Sequence, residues 1–290
     1  MYERVLSLLP QARRYQHYAI GLCPFHADQH PSLLVTEKWF KCLACGRRGS
    51  LRTLLAALNP ADPRLTKPIA RAKSRNIFPL WENKAALESM LADAHTRLVQ
   101  SESLRAWLKR RGIEQMLIRA ELGWCRNWFT IPFRDRDGQL LGAAARAGTE
   151  LSKRVPNKMT TPCGQPPLLY VPDWVLWVTA PAVYITFGLI DAISLVQLGY
   201  AAASPSAGQN STNPRWLDDV QKPIYVVPDK GELSAAIKLA TALGYRGRVL
   251  ELEYPEGLKD PNDYLQVGQS ELLKKHLEEA KQRDASRRTK

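Results

Sequence analysis

Acidic residues are the scarce class in this sequence: 28 Asp and Glu stand against 41 Lys and Arg, leaving a net charge of +13. A deficit of that size argues against a cationic partner. It favours a polyanion, nucleic acid first and an anionic membrane surface second. Long apolar runs are also missing. The most apolar stretch, 175–185, is too short to span a bilayer and is interrupted by Pro181, and no secretory leader is visible. Cysteine is sparse, at five residues, and its placement does not suggest a disulfide framework, which fits a reducing, cytoplasmic setting. No GxxxxGK[ST] loop occurs, which excludes a fused nucleotide-driven motor of that type.

What cysteine there is clusters. Cys23-Pro-Phe-His26 is followed by Cys42-Leu-Ala-Cys45, two pairs of borderline or soft ligands, each with two residues between its members. A tight turn lets both members of a pair reach one ion, and the strand-like KWFKC segment brings the second pair back to the first. That spacing is what a tetrahedral structural zinc site requires. Gly46 suits the turn beyond the second pair. His30 lies off the spacing and reads as a surface or outer-shell histidine, while Cys125 and Cys163 read as unpaired packing residues.

Residues 1–20 predict a short helix leading into this ribbon, and 51–58 a helix packing on it. Residues 59–80, rich in proline, lysine and arginine, predict an exposed basic linker. Helical periodicity returns at 81–111, with Ser101 opening a second helix and a third expected over 113–122. Strand-like runs flank Asp137-Gly138, a hairpin signal. From 182 onward strands and helices alternate, which argues for a parallel sheet with ligands at the carboxyl ends of its strands. Asp191 and Asp229 lie at or just past such ends. The expected domains are a zinc ribbon (1–58), the linker (59–80), a first core subdomain (81–178), an α/β domain (179–268) and a basic helical tail (269–290) fading into disorder.

The ribbon resembles the zinc finger of DnaG-type DNA primases, with Pro31-Ser32, Trp39-Phe40 and Gly46 at matching places. The resemblance continues through Arg111-Gly112-Ile113, Leu122-Gly123, Ile131-Pro132-Phe133, Gly138, Gly142, Arg146, Lys158 and Leu168-Leu169-Tyr170. Lys158 is followed by Met159 where the family writes tyrosine. The α/β segment is similar to the TOPRIM fold, and 254–265 to a late KDPxDYL segment, in which Asp260 and Asp263 read first as helix-start residues and only second as neighbours of a metal pocket. The resemblance implies an α+β protein: a zinc ribbon followed by a primase-like core with a TOPRIM parallel-sheet domain. Compared with full-size members of that family, no helicase-binding domain is expected within these 290 residues.

The family's first TOPRIM motif carries a glutamate where this chain has Phe187, and its second carries a second aspartate where this chain has Gly231. Asp191, Asp229 and Glu232 are the remaining candidate catalytic acids, with Asp191 and Asp229 as possible ligands of Mg2+ or Mn2+, and Lys230 adds a positive charge beside them. Phenylalanine offers a divalent cation no oxygen. The departures imply single-stranded DNA binding with nucleotidyl transfer weak or lost, in an accessory of replication or of a mobile element. The alternative is a working minimal primase making RNA primers at a remodelled magnesium site. A nuclease or strand-passage role is disfavoured by the missing glutamate and by the zinc ribbon. The nucleic-acid contacts expected are Arg146 and Lys158 in a groove, and Trp39, Phe40, Arg47 and Arg48 on the ribbon. Nucleotides and a replicative helicase or polymerase are the other partners implied, and no membrane.

Overall fold

The computed structural model describes residues 2–59, 77–155 and 158–288. The basic linker falls almost wholly outside them. The chain divides into two compact units, Met1–Arg75 and Asn76–Lys290.

In the first unit, β1 (Arg13–Arg14), β2 (Ala19–Gly21), β3 (Leu33–Val35), β4 (Trp39–Cys42) and β5 (Arg48–Ser50) form one antiparallel sheet in sequence order. Alternation sets its two faces. Ala19, Leu33, Val35, Phe40 and Cys42 point inward against Val5 and Leu9 and the apolar face of α2 (Leu51–Leu58), which carries Leu51, Leu54 and Leu55. Val5 lies on α1 (Tyr2–Leu8). Gly21 has no room for a side chain, since a Cβ there would come within 2.6 Å of Leu9.

The second unit opens with α3 (Lys84–Gln100), capped by the Asn83 side chain, and α4 (Glu102–Arg110), capped by Ser101. The third expected helix shrinks to one turn, α5 (Met116–Arg119). A four-stranded antiparallel sheet follows: β6 (Gly123–Cys125), β7 (Trp128–Arg134), β8 (Leu140–Ala147) and β9 (Met159–Thr160). The Asp135 carboxylate fastens the β7–β8 turn by accepting from the amides of Asp137 and Gln139, with Gly138 at φ +81°. The short helices α6 (Thr149–Ser152) and α7 (Trp174–Thr179) complete this region.

The last sheet has the order β10-β12-β11-β13-β14. β11 (Val183–Ile185), β12 (Ala202–Pro205), β13 (Ile224–Val226) and β14 (Gly247–Val249) are parallel, crossed over by α8 (Leu189–Gln197) and α9 (Leu233–Ala242). β10 (Leu169–Tyr170) pairs antiparallel with β12. A boundary at 178/179 therefore cuts through a sheet, and one buried cluster runs from Leu98 and Phe129 to Leu195 and Leu277, so the two expected core subdomains share a core. After α10 (Pro261–Gln266), the expected helical tail forms as α11 (Ser270–Arg288), and it stays helical through the basic end where fading was expected. Leu273, Leu277 and Ala280 bury one side of it, and the Lys281 ammonium lies 5.2–5.7 Å from the ring centres of Tyr184, Tyr200 and Tyr225. None of the described helices is long and apolar enough to cross a membrane.

Candidate metal centres and nucleic-acid interface

The ribbon places Cys23 just past β2, Cys42 at the end of β4, and His26 and Cys45 in the adjoining turns. Their ligand atoms all lie within 4.8 Å of one another. The Cys23 and Cys45 sulfurs are 3.9 Å apart, the separation two thiolates take across one tetrahedral zinc ion. His26 Nδ1 is buried without a hydrogen-bond partner, while Nε2 lies 3.5 Å from Asp28 Oδ1. One ring nitrogen is thus left for a metal and the other faces a carboxylate, the usual arrangement of a ligating histidine.

Asp28 organises the site. Its Oδ2 accepts from the Cys23 amide (2.8 Å) and the Ser32 hydroxyl (2.6 Å), and the Ser32 bond holds its carboxyl below the usual range. Without metal, burial pushes the Cys23 thiol up to about 12. Burial also acts on Cys42, but hydrogen bonds from Ser32 and from the Cys45 backbone outweigh it and hold that thiol at about 6. Residue spacing alone did not single out Asp28; its position four before Ser32 is the only trace it leaves in the sequence. His30 is exposed, as expected.

The ribbon's expected DNA contacts divide. Trp39 is 47% exposed on the outer face, with Arg48 and Arg47 also exposed. Phe40 is corrected: it is 1% exposed and stacks on Phe25 at 5.3 Å, because strand alternation turns it inward. Arg47 covers the Phe25 ring at 4.5 Å.

In the second unit, the turns after β11 and β13 bring the acids together. Asp191, in the first turn of α8, is buried, and its Oδ1 accepts from the Asn262 amide at 3.0 Å. The Asn262 side chain donates to the Arg111 carbonyl and the Ser194 hydroxyl, both at 2.9 Å, and accepts from Arg111 Nη1. Gly188 is required here, since a Cβ would sit 2.0 Å from Asp191 Oδ2. Burial, then the charges of Asp260 and Asp229, push the Asp191 carboxyl well up. Asp229 rises to about 7 through burial, then Asp260 and Glu232. Burial raises Asp260 as well, with Asp263 adding to it, and burial raises Glu232.

Asp229 Oδ1 and Glu232 Oε2 are buried with no hydrogen-bond partner among the described residues. Carboxylate oxygens without a protein partner are the donor type a hard divalent cation takes, though among the described residues only the Cys23, His26, Cys42 and Cys45 atoms already converge to ligand spacing. Asp260 caps α10, as its first reading expects, and its charge also acts on Asp191 and Asp229. Lys230 is exposed; the lysine whose charge bears on Asp229 is Lys259. Gly231 lies at φ +94°.

A cavity of about 630 Å3 adjoins Asp191, lined by Arg146, Thr160, Phe187 and Ser206 among others. Phe187 is 7% exposed and packs with Val171, Trp177 and Ile185. Lys158 is exposed just before β9 and is not among the described residues lining this cavity; its carbonyl accepts from the Ala147 amide.

Residues 5–62 match the CHC2 zinc finger family of DnaG-type zinc ribbons. DNA primases of Listeria monocytogenes and Listeria innocua are each 25% identical over 343 aligned positions, covering 93% of this chain and 54% of theirs. The chain thus spans about half the length of the curated relatives it matches. Among solved structures, the Aquifex aeolicus primase (zinc-binding and RNA polymerase domains) aligns over 96% of this chain and 82% of its own, with TM-score 0.53 and 17% identity. A DnaG primase catalytic domain bound to ssDNA gives TM-score 0.52 at 18% identity, over 66% of this chain and 76% of that one. The RNA polymerase domain of Mycobacterium tuberculosis primase DnaG, in complex with a double-stranded DNA oligomer with a 6-nucleotide overhang, gives 0.51 at 17%, over 68% and 81%. At such identities the structural likeness speaks for the fold.

Proposed function

We propose that this chain, whose ribbon matches the CHC2 zinc finger family and which is similar to DnaG-type DNA primases over most of its length, binds single-stranded DNA while carrying out nucleotidyl transfer weakly or not at all. The observation that carries this reading is Phe187. At the position of the family's motif glutamate, its ring packs among Val171, Trp177 and Ile185 at the edge of the Asp191 cavity. An aromatic ring can neither ligate a cation nor carry a proton.

The DNA-binding half is supported by the net charge of +13 and by the relative whose catalytic domain is bound to ssDNA. Zinc at Cys23, His26, Cys42 and Cys45 shapes the ribbon. Asp191, Asp229, Asp260 and Glu232 would hold Mg2+ or Mn2+, which when bound neutralises phosphate charge. The chain's own contribution is positional: Asn262 orients Asp191, and Arg146 offers a guanidinium to a phosphate in the adjoining cavity. We extend the reading to nucleotides at that cavity and to a replicative helicase or polymerase as protein partner.

A second reading, an active minimal primase, draws support from Asp260, which adds a carboxylate to the group beyond Asp191, Asp229 and Glu232. Primer synthesis on single-stranded DNA with labelled nucleotides and Mg2+ or Mn2+ separates the two. The first reading expects little or no product from the native chain and product from Phe187→Glu, with folding checked by circular dichroism. Primers from the native chain that vanish in Asp229→Ala would establish the second reading instead.

A further inference from the structure

Where α5, the β7–β8 turn and the start of α7 meet, apolar side chains of the second unit stand in water. Val175 is 75% exposed, and Ile118, one residue before Arg119, is 64% exposed. Between these elements lies a cleft of about 220 Å3, lined by Pro132, Tyr170, Pro172, Trp174 and Val175 among others. We propose that this cleft docks an acidic peptide segment of a partner protein, with one apolar side chain of that segment inserted. Such docking is separate from DNA binding and from nucleotidyl transfer, and requires neither.

The walls of the cleft are tied together. The Trp174 indole N–H donates to the Arg134 carbonyl at 2.8 Å, which fixes α7 to the end of β7. The Asp173 carboxylate accepts from the Leu176 amide at 2.6 Å and from Arg119 Nε, which fixes α7 to α5. Tyr170 packs on Phe133 with ring centres 5.0 Å apart. A pocket already formed spares a partner the cost of ordering both sides. Its volume falls below the roughly 300–1,000 Å3 of small-molecule sites. One large side chain suits it, the kind of anchor on which an interface depends.

The occupant follows from the polar groups of the wall. Arg119, Arg134 and Arg136 line it together with Glu121, Asp135 and Asp173, so in a chain of +13 this wall has no net charge. A phosphate backbone needs a cationic track, which the cleft lacks. The acids are engaged within the chain. Arg134 holds the Glu121 carboxylate at 2.6 Å, Asp135 Oδ1 accepts from the Asp137 and Gln139 amides, and Asp173 is shared between Arg119 and Leu176. The arginines are engaged less fully. Arg119 meets Asp173 through Nε, and Arg136 is exposed with no ion-pair partner among the described residues. Donors are therefore in surplus. The fitting partner supplies carboxylates, and the apolar lining takes a hydrocarbon or aromatic side chain beside them.

The test titrates the zinc-loaded full chain into the fluorescein-labelled peptide Gly-Asp-Asp-Phe-Asp-Asp-Gly, followed by anisotropy at about 0.15 M salt. Saturable binding is expected, weakened about tenfold or more when the peptide's phenylalanine becomes serine or its aspartates become asparagines. Val175→Asp and Arg136→Glu should each weaken it to a similar degree. Both sites are exposed, and an acid in the first turn of α7 does not disfavour the helix; circular dichroism checks that the variants fold. Tyr245→Ala, 79% exposed and not in the cleft wall, leaves binding unchanged. Saturating oligo(dT) should leave the peptide bound. Displacement by oligo(dT), binding that both variants retain, or the absence of saturable binding would each overturn the assignment. A native chain that self-associates in sedimentation and becomes monomeric in Val175→Asp would assign the cleft to a second copy instead. A chain that takes the peptide but not oligo(dT) keeps this cleft and loses the DNA-binding reading.

Discussion

The backbone amide of Asn262 donates to Asp191 Oδ1 at 3.0 Å, joining residues 71 positions apart in the wall of the acidic site. The Asn262 side chain extends the tie to Arg111 and Ser194. Asn262 is 1% exposed, so this polar group is out of water and depends on those partners.

Asn262→Leu keeps the amide and removes the side-chain bonds, leaving the Ser194 hydroxyl and the Arg111 groups short of a partner. The expected loss is about 1–3 kcal/mol of unfolding free energy, read by urea denaturation. Asn262→Asp is expected to cost at least as much, since it adds a negative charge beside Asp191. An unchanged midpoint in both variants would refute the network's structural weight.

Zinc removal should act on one unit. A strong chelator is expected to release one equivalent of zinc per chain and to abolish the near-ultraviolet signal of Trp39 while sparing the core's main thermal transition. Asp28→Asn weakens the carboxylate–histidine contact and the site it organises, and is expected to lower zinc affinity about 10–100-fold. Competition with a chromogenic chelator measures this. Wild-type affinity in the variant would mean Asp28 plays no such part.

The acidic site predicts a pH dependence. Asp229 in the folded chain titrates near 7, above its ordinary value of 3.8. The folded state therefore holds this proton more tightly than the unfolded state, a contribution fully present below about pH 4 and lost as pH rises through 7. Stability of the second unit should fall across that window, by up to about 1.4 kcal/mol per pH unit from this group. Millimolar Mg2+ should restore it at pH 8 and do little at pH 5, and Asp229→Asn should flatten the profile. Thermal melts at several pH values, with and without Mg2+, supply the check.

Lys281 bears on how α11 is held. Its ammonium faces three tyrosine rings at 5.2–5.7 Å. Lys281→Met keeps much of the stem's packing and removes the charge, and should cost about 1 kcal/mol, seen as a lower urea midpoint. Lys281→Arg should lose less.

How much of this is legible in the sequence differs by residue. The zinc ligands are legible because coordination fixes both ligand type and spacing, and Ser101, Asp137-Gly138 and Gly188 mark boundaries that local chemistry alone dictates. Phe40 is misjudged because a Trp-Phe pair does not say which ring a strand turns inward; the buried period of Phe40 and Cys42 decides it. The tail's helix is legible, but not how far it runs, because its charge conceals the Leu273–Leu277–Ala280 stripe, which needs a partner surface to be visible. Asp260's role in the acidic site depends on a fold that brings residues 191, 229 and 260 together, and no local pattern records that.

The antiparallel pairing of β10 with β12 reaches further than its two residues suggest. Leu169 and Tyr170 cover Pro205 and Ser204, the outer edge of an otherwise parallel sheet. A fragment beginning after this strand would leave the β12 backbone groups unpaired, and a bare sheet edge is a template for other chains. The α/β half therefore completes its sheet with a strand borrowed from the preceding half, and with a core in common the two are expected to unfold as one piece.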